Sequence, residues 1–342
     1  MKFKISPMVW VIMAAFCAVL LSLAVGSVSI PLGDLLGMLF GKITGIYNNP
    51  NWPASFETIL FELRFPRTVL IALTGASLAG SGAAYQGLFR NPLADPYLIG
   101  VASGAGLGAI IAMSTHWPRE FFGFFAIPFL AFIAGLVTVL IVYILARVGK
   151  TVPTTNLLLA GVTISSFCTA LTSYLMIQSQ NELRRAIIWL LGGSAITGWE
   201  PVLAMLPYTV VGLVLLLISG HPLNVMQFGE EQASQLGLNV QKVKIIIIIG
   251  SSLAAASAVA FTGIIGFVGL IVPHMVRILW TGNYRKLLPL SIVGGISVLL
   301  VTDVIARILI PPQEVPLGII TALVGAPFFL WILRRSKQQA FW

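Results

Sequence analysis

The residues best suited to chemistry in this sequence are charged side chains at the ends of long apolar segments. Arg64 and Arg67 lie three residues apart in the segment LRFPR, just before one such segment. This spacing lets two guanidinium groups on one helix face the same way and bind a carboxylate bidentately. The alternative is that both arginines anchor the helix by extending to lipid headgroups. Arg307 follows Asp303 by four residues, a spacing that predicts an ion pair within one helix.

A second group of charges lies in the segment GEEQASQLGL, residues 229–238. Its composition predicts a short amphipathic helix bounded by Gly229 and Gly237, too polar to cross a membrane. Glu230 and Glu231 would lie at the N-terminal end of this helix, where the helix dipole favours acidic groups. Such a helix is either a solvated connector or a docking surface for a cytoplasmic partner.

The residue patterns of enzymes are missing from the sequence. His116, His221 and His274 are far apart, and no His, Cys, Asp or Glu cluster has metal-ligand spacing. The segment VGKT resembles the end of a phosphate-binding loop, but that loop needs glycine where Ile144 stands, so Lys150 is better explained as a membrane-flanking charge. We therefore expect no catalytic residue, no metal site, no bound cofactor and no ATP hydrolysis by the chain itself.

The composition predicts an all-α polytopic membrane protein. Of 342 residues, 58% are hydrophobic and 9% are charged, and the mean hydropathy is +0.97. A soluble domain carries roughly 25% charged residues, so a soluble enzyme is excluded. The net charge of +9 suits contact with anionic lipid, and the basic residues are too scattered for nucleic-acid binding. Apolar segments predict about ten transmembrane helices, at about 8–30, 68–88, 97–113, 121–146, 154–177, 200–219, 243–261, 264–280, 287–309 and 316–333.

The distribution of Lys and Arg predicts the orientation of these spans. If the N-terminus is cytoplasmic, the inner loops hold more basic residues than the outer loops, as the positive-inside rule requires, and the C-terminus is cytoplasmic too. The glycine-rich segments 97–113 and 264–280 are short enough to be partial helices. Two connections are longer than the rest, an outer loop from Leu32 to Phe65 and an inner loop from His221 to Lys242.

Several longer motifs resemble those of a known transporter family. They are LRFPR, GASLAGSGAAYQGLFRNPLADPYLIG, WLLGGS, GFVGLIVPHMVR and EVPLGIITALVGAPFF, in this order along the chain. The combination is similar to the permease subunit of FecCD-type (type II) ABC importers, which carry ferric siderophores, haem or cobalamin. The resemblance extends from about residue 10 to 335 and implies that residues 1–342 form a single transmembrane permease domain. The segment GNYRKLLP (282–289) departs from the acidic–His–Arg turn that is common in the family.

This resemblance implies a set of partners and a location. They are two cytoplasmic ATP-binding subunits that use ATP and Mg, an extracytoplasmic substrate-binding protein, and a second permease, which we expect to be another copy of this chain. The location implied is the bacterial cytoplasmic (inner) membrane.

It also implies roles for individual residues. Arginines at the positions of Arg64, Arg67 and Arg307 contact acidic groups of the binding protein. The loop at about 221–242 couples to the ATPase through Gly229, Glu230, Glu231 and Gly237. The cytoplasmic gate is formed by two turns, represented by Asn91 and Leu93 and by Thr154 and Thr155, and the fifth and tenth spans line the pathway.

Two alternatives from other classes remain at this stage. A secondary transporter driven by an ion gradient would need ionisable residues within the membrane, for which Asp303 is the main candidate. A membrane enzyme would need paired carboxylates or a metal cluster, which the sequence lacks. Within the importer family, an iron chelate is the substrate we favour over haem or cobalamin.

Overall fold

Helices make up every regular element in the part of the chain that the structure describes. The computed structural model describes residues 6–45, 52–115, 125–178, 182–193, 198–311 and 313–336, so His116 lies outside it. The elements are α1 (Pro7–Ala24), α2 (Leu32–Thr44), α3 (Ala54–Thr58), a π-helical segment (Ile59–Arg64), α4 (Phe65–Leu88), α5 (Val101–Ser114), α6 (Ala126–Ala146), α7 (Thr154–Gln178), α8 (Leu183–Leu190), α9 (Trp199–Ile218), α10 (Gly220–Met226), α11 (Glu230–Gln235), α12 (Val240–Thr262), α13 (Val268–Leu279), α14 (Tyr284–Ile308) and α15 (Leu317–Ser336).

Each of the ten predicted spans corresponds to an apolar helix. Among the described residues, seven helices are long and apolar enough to cross a membrane, with α3, the π-helical segment and α4 counted as one. The other three predicted spans correspond to α5, to α13 and to Leu317–Trp331 of α15, which are apolar helical segments of 10–17 residues. At 1.5 Å per residue, the 12 residues of α13 span about 18 Å, less than the roughly 30 Å of a bilayer core. The prediction that segments 97–113 and 264–280 form partial helices is therefore confirmed.

Helix α4 lies at the centre of the bundle, where its backbone approaches those of α13 and α14 closely. Gly75 of α4 and Gly295 of α14 meet so closely that a Cβ on either would overlap the carbonyl oxygen of the other. Gly82 meets the backbone of α13 at Gly269 in the same way. Small residues at such crossings replace side-chain contacts with backbone contacts, as is common between transmembrane helices.

The four-residue glycine spacing of α5 serves the same purpose against α6. A Cβ on Gly104 would contact Thr138 and the Ala134 carbonyl, and one on Gly108 would overlap the Leu130 carbonyl. The glycines at 104 and 108 therefore let α5 pack closely against α6.

The outer connection from Leu32 to Phe65, predicted as a loop, is largely helical. It contains α2, α3 and the π-helical segment, and Leu35, Met38 and Leu60 form a small buried cluster between them. Pro31 and Pro53 are the N-cap residues of α2 and α3, where the missing N–H removes no helical hydrogen bond. Tertiary burial of one apolar face stabilises these helices.

Candidate functional site

Four charged side chains meet where α4 begins and α14 ends, and we call them the outer cluster: Arg67, Asp303, Arg307 and Glu314. Arg67 Nη2 lies 2.8 Å from Asp303 Oδ1, and its Nη1 donates to both Glu314 oxygens at 2.8 and 2.9 Å. Arg307 Nη2 forms an ion pair with Asp303 Oδ2 at 3.0 Å, as the four-residue spacing predicted. Asp303 is fully buried, and its two carboxylate oxygens contact the guanidinium groups of Arg67 and Arg307.

The guanidinium of Arg64 lies apart from the outer cluster and binds the end of α1. It donates to the carbonyl oxygens of Leu23 and Ala24 at 2.9 Å each, and to that of Val28. The last carbonyls of a helix have no partner within the helix, and a cation at this end also complements the helix dipole. Arg64 therefore ties the π-helical segment to the C-terminal end of α1.

Arg307 also contributes to this attachment of α1. It donates to the carbonyl oxygen of Ser22 at 3.1 and 3.2 Å and to its hydroxyl at 3.0 Å. The three arginines do lie at one end of the molecule, but Arg64 and Arg67 do not share a carboxylate as their spacing suggested. Arg64 and Arg307 are 6% and 7% exposed, whereas the Arg67 side chain is 26% exposed, so Arg67 is the most accessible of the three.

At the opposite end of α4, the short helix α11 forms as the sequence predicted. It spans Glu230–Gln235 and lies between Gly229 and Gly237, whose φ angles of 112° and 85° favour glycine. The two acids at its start face different ways. Glu231 is exposed, whereas Glu230 Oε2 accepts a hydrogen bond from the buried Lys244 ammonium at 2.6 Å.

Two large apolar side chains flank α11 and are exposed. Phe228 is 67% exposed and Leu236 is 71% exposed, on either side of the exposed Glu231. We call Phe228, Glu231 and Leu236 the α11 surface. Exposed apolar groups around a charge are typical of a protein–protein contact.

The first predicted gate segment is an irregular turn between α4 and α5. Arg90 has a φ of 48°, a conformation that side chains other than glycine rarely adopt. The Asn91 side chain accepts a hydrogen bond from the Leu93 N–H at 2.9 Å, which holds the turn in shape, and Leu93 is 45% exposed. Gln227, just before α11, donates to the carbonyl of Gly87 at 3.1 Å, so this turn and the inner loop are in contact.

The second predicted gate segment precedes α7. Val148 and Thr151 pair their backbones in a tight turn, and Thr154 and Thr155 open the helix. The N–H of Val152, which directly follows this turn, donates to the Gln241 side chain of α12 at 3.2 Å. Both gate segments are thus attached to the inner loop or to α12, which follows it.

A groove runs along α7 and reaches the first gate segment. It has a volume of about 640 Å³, and its lining includes Asp95 and four hydroxyl side chains of α7: Ser165, Ser166, Thr169 and Ser173. Burial raises the pKa of Asp95 to about 6, although a hydrogen bond from the Tyr97 N–H acts in the opposite direction. The hydroxyls of Ser166, Thr169 and Ser173 donate to carbonyl oxygens one turn earlier in α7.

Sequence reasoning missed two residues of these sites. Lys244 directly precedes a run of five isoleucines, and a Lys at the edge of an apolar span is rarely buried unless it is paired. Asp95 lies beside Pro96, and this position in the sequence gives no sign of the groove that it lines.

Comparison with known proteins identifies the family. Residues 13–335 match the FecCD transport family. The chain is 40% identical to the ABC transporter permease protein YvrB of Bacillus subtilis over 94% of this chain and 91% of that protein. It is 36% identical to the hemin transport system permease protein HmuU of Yersinia pestis over 96% and 97%, and 42% identical to the cobalamin import system permease protein BtuC of Halobacterium salinarum over 84% and 76%.

A solved structure agrees with these sequence relatives. It is described as an inward-facing conformation of a metal-chelate type ABC transporter, and it matches with a TM-score of 0.79 and 28% identity over 96% of this chain and 98% of that one. The chain therefore belongs to the FecCD transport family and is a multi-pass permease of a metal-chelate type ABC importer. Family membership also confirms the prediction of a transport subunit rather than an enzyme.

Proposed function

We propose that this chain moves a bulky metal chelate, a ferric siderophore, from the periplasm or cell exterior to the cytoplasm in an ATP-driven importer. The observation that carries the proposal is the match to the FecCD transport family along nearly the whole chain. Relatives named for hemin, Fe(3+)-citrate and cobalamin share bulky metal-containing cargo, and haem and cobalamin are the alternative substrates here. The groove along α7, with its hydroxyl lining, supports this span as part of the pathway.

The two ends of the bundle suggest where partners bind. We place the two ATP-binding subunits, which would use ATP and Mg while this chain binds no cofactor, on the α11 surface and at Gly229 and Gly237, which bound it. The extracytoplasmic binding protein would contact the other end through Arg67, whose Nη1 already donates to both oxygens of the half-exposed Glu314. Arg64 and Arg307 would hold that site in place from beneath. This orientation puts both termini in the cytoplasm, with the chain in the bacterial inner membrane.

A second copy of this chain is the partner that we propose across the pathway. Helix α7 buries few of its residues, and its exposed side chains include Leu159, Phe167 and Tyr174 as well as the groove hydroxyls. A single chain leaves this face uncovered, and one permease domain has no internal repeat to cover it. A native mass that contains two different permease chains would contradict the homodimer.

Uptake into proteoliposomes tests the function. The permease is reconstituted with its ATP-binding subunits and binding protein, and accumulation of radiolabelled ferric siderophore, haemin and cobalamin is measured separately. We expect one chelate to accumulate only when hydrolysable ATP is present, and accumulation to survive an ionophore. Uptake that an ionophore abolishes and that needs no ATP would favour the ion-gradient transporter instead.

Charge reversal on α11 tests the docking of the ATP-binding subunit. Glu231→Lys is expected to weaken binding of that subunit about tenfold or more at low salt and less at high salt, because the contact is exposed and screened. The measurement is the affinity of purified permease for the ATP-binding subunit at two salt concentrations. Gln235→Lys, on the same exposed helix, adds a positive charge without removing the acid and should have the smaller effect. Equal effects of the two variants would contradict a specific role for Glu231.

A further inference from the structure

The buried ammonium of Lys244 joins two segments that the proposed function assigns to different tasks. Lys244 lies near the start of α12 and is 2% exposed. Its Nζ donates to Glu230 Oε2 at 2.6 Å and to the carbonyl oxygen of Val152 at 2.8 Å. Glu230 is the first residue of α11, and Val152 is two residues ahead of Thr154, where α7 begins. One side chain thus contacts both the proposed coupling helix and the proposed gate.

The backbone at Val152 is held from both sides by α12. Its carbonyl accepts from Lys244, and its N–H donates to Gln241 at 3.2 Å. Val152 is itself buried, so these polar groups have little access to water that could replace the bonds. The turn before α7 therefore has little freedom to move independently of α12 and Glu230.

The buried ammonium of Lys244 is costly to separate from Glu230 and from the Val152 carbonyl. A buried ammonium without partners costs several kcal/mol, so Lys244 retains its acceptors as long as the chain can supply them. A displacement of α11 that carries Glu230 either draws Lys244 and the Val152 carbonyl with it or breaks a charge-assisted bond. The Glu230 side chain is 35% exposed, so the ion pair lies at the edge of the protein, next to the proposed docking face.

We propose that Lys244 is a positioning residue that transmits the movement of α11 to the turn at Val152–Thr155, and so couples the ATP-binding subunit to the inner gate. The inference rests on the proposed function, since it takes α11 as the coupling helix and this turn as part of the gate. It adds that one ion pair, Lys244–Glu230, forms the mechanical connection on this side of the pathway.

The position of Thr155 provides a reporter for this connection, because its side chain is exposed. The native cysteines, Cys17 and Cys168, are replaced with alanine, and Thr155→Cys is introduced. The complex with its ATP-binding subunits is placed in nanodiscs, and the rate of labelling by a maleimide is measured without nucleotide and with MgATP plus vanadate. In this parent protein we expect the trapped nucleotide to change the labelling rate.

Lys244→Met is expected to abolish the nucleotide-dependent change in labelling while ATP hydrolysis continues, so that chelate uptake per ATP falls. Lys242→Met is the matched control, since it removes the same charge from an exposed position two residues away, and it should respond as the parent does. A Lys244→Met complex that retains the full labelling response would overturn the proposal. Lys244→Arg, which can still donate to both acceptors, should restore part of the response.

If the Lys244→Met permease does not assemble with its ATP-binding subunits, Glu230→Gln tests the same ion pair. This variant keeps an acceptor for Lys244 and removes the charge, so a reduced labelling response supports the connection and a response equal to that of the parent overturns it. If the labelling rate of the parent protein is the same with and without trapped nucleotide, the gate assignment in the proposed function is overturned, and this inference with it. The two failures are therefore distinguishable.

Discussion

Replacing Asp303 with asparagine is expected to destabilise the folded permease by about 3–5 kcal/mol, the usual effect of removing one partner from a buried ion pair. The Asp303 side chain is 0% exposed and contacts both Arg67 and Arg307. Asparagine keeps its shape and loses its charge, so two guanidinium groups lose the carboxylate that they share. The measurement is the fraction of detergent-purified protein that remains monodisperse after heating.

Glu314→Gln is the matched control for Asp303→Asn. It also removes a carboxylate from Arg67, but the Glu314 side chain is 51% exposed. Exposed pairs contribute about 0–1 kcal/mol, so this variant should be nearly as stable as the wild type. Equal destabilisation by the two variants would show that burial at Asp303 does not decide the effect.

The variant Asp303→Asn also distinguishes the importer from a secondary transporter driven by an ion gradient. If Asp303 were a proton relay, Asp303→Asn would stay folded and lose uptake. If the carboxylate anchors α14 to α4, the variant loses folded protein first. We expect loss of folded protein, because Arg67 and Arg307 both contact the Asp303 carboxylate and favour its charged form over a protonated one.

Arg64→Glu is expected to prevent assembly of the permease, which is the second large effect. The new carboxylate would face the carbonyl oxygens of Leu23, Ala24 and Val28, which are all acceptors, and would be buried without a donor among them. An uncompensated buried charge costs several kcal/mol. We expect little folded protein in the membrane fraction, as measured by size-exclusion chromatography of a fluorescent fusion.

Arg67→Lys separates docking from folding at the same end of the molecule. Lysine keeps the charge beside Asp303 but cannot form the bidentate contact of a guanidinium. We expect this variant to fold and to bind the substrate-binding protein more weakly. If Arg67→Lys binds the substrate-binding protein with wild-type affinity, Arg67 serves only the outer cluster. For the earlier variant, normal folding of Arg64→Glu would contradict the attachment of α1 by Arg64. A double charge reversal at Arg64 and Arg67 cannot test docking, because the first change already disrupts the fold.

The transmembrane helices and α11 were predictable because their signals are local. A transmembrane span needs enough consecutive apolar residues to cross the lipid, and its helix satisfies the backbone hydrogen bonds locally. Glycines at 229 and 237 mark the ends of α11. The helix α2 was not predictable in this way. Its 13 residues are too few to cross a membrane, so the rule for transmembrane spans does not detect it, and its stability comes from burying Leu35 and Met38 beside Leu60, which is distant in the sequence.

The charged residues show most clearly what each level of structure decides. The sequence alone determined the class of protein, the ten spans and the end of the molecule at which each arginine lies, because these follow from composition and from the order of spans. Only the tertiary structure decided that Arg64 binds the end of α1, that Asp303 joins two arginines, and that Lys244 joins α11 to the turn before α7. These pairings connect residues up to 236 positions apart in the chain. The direction of a long side chain depends on which acceptors the neighbouring helices bring within about 3 Å, and helix periodicity alone does not contain that information.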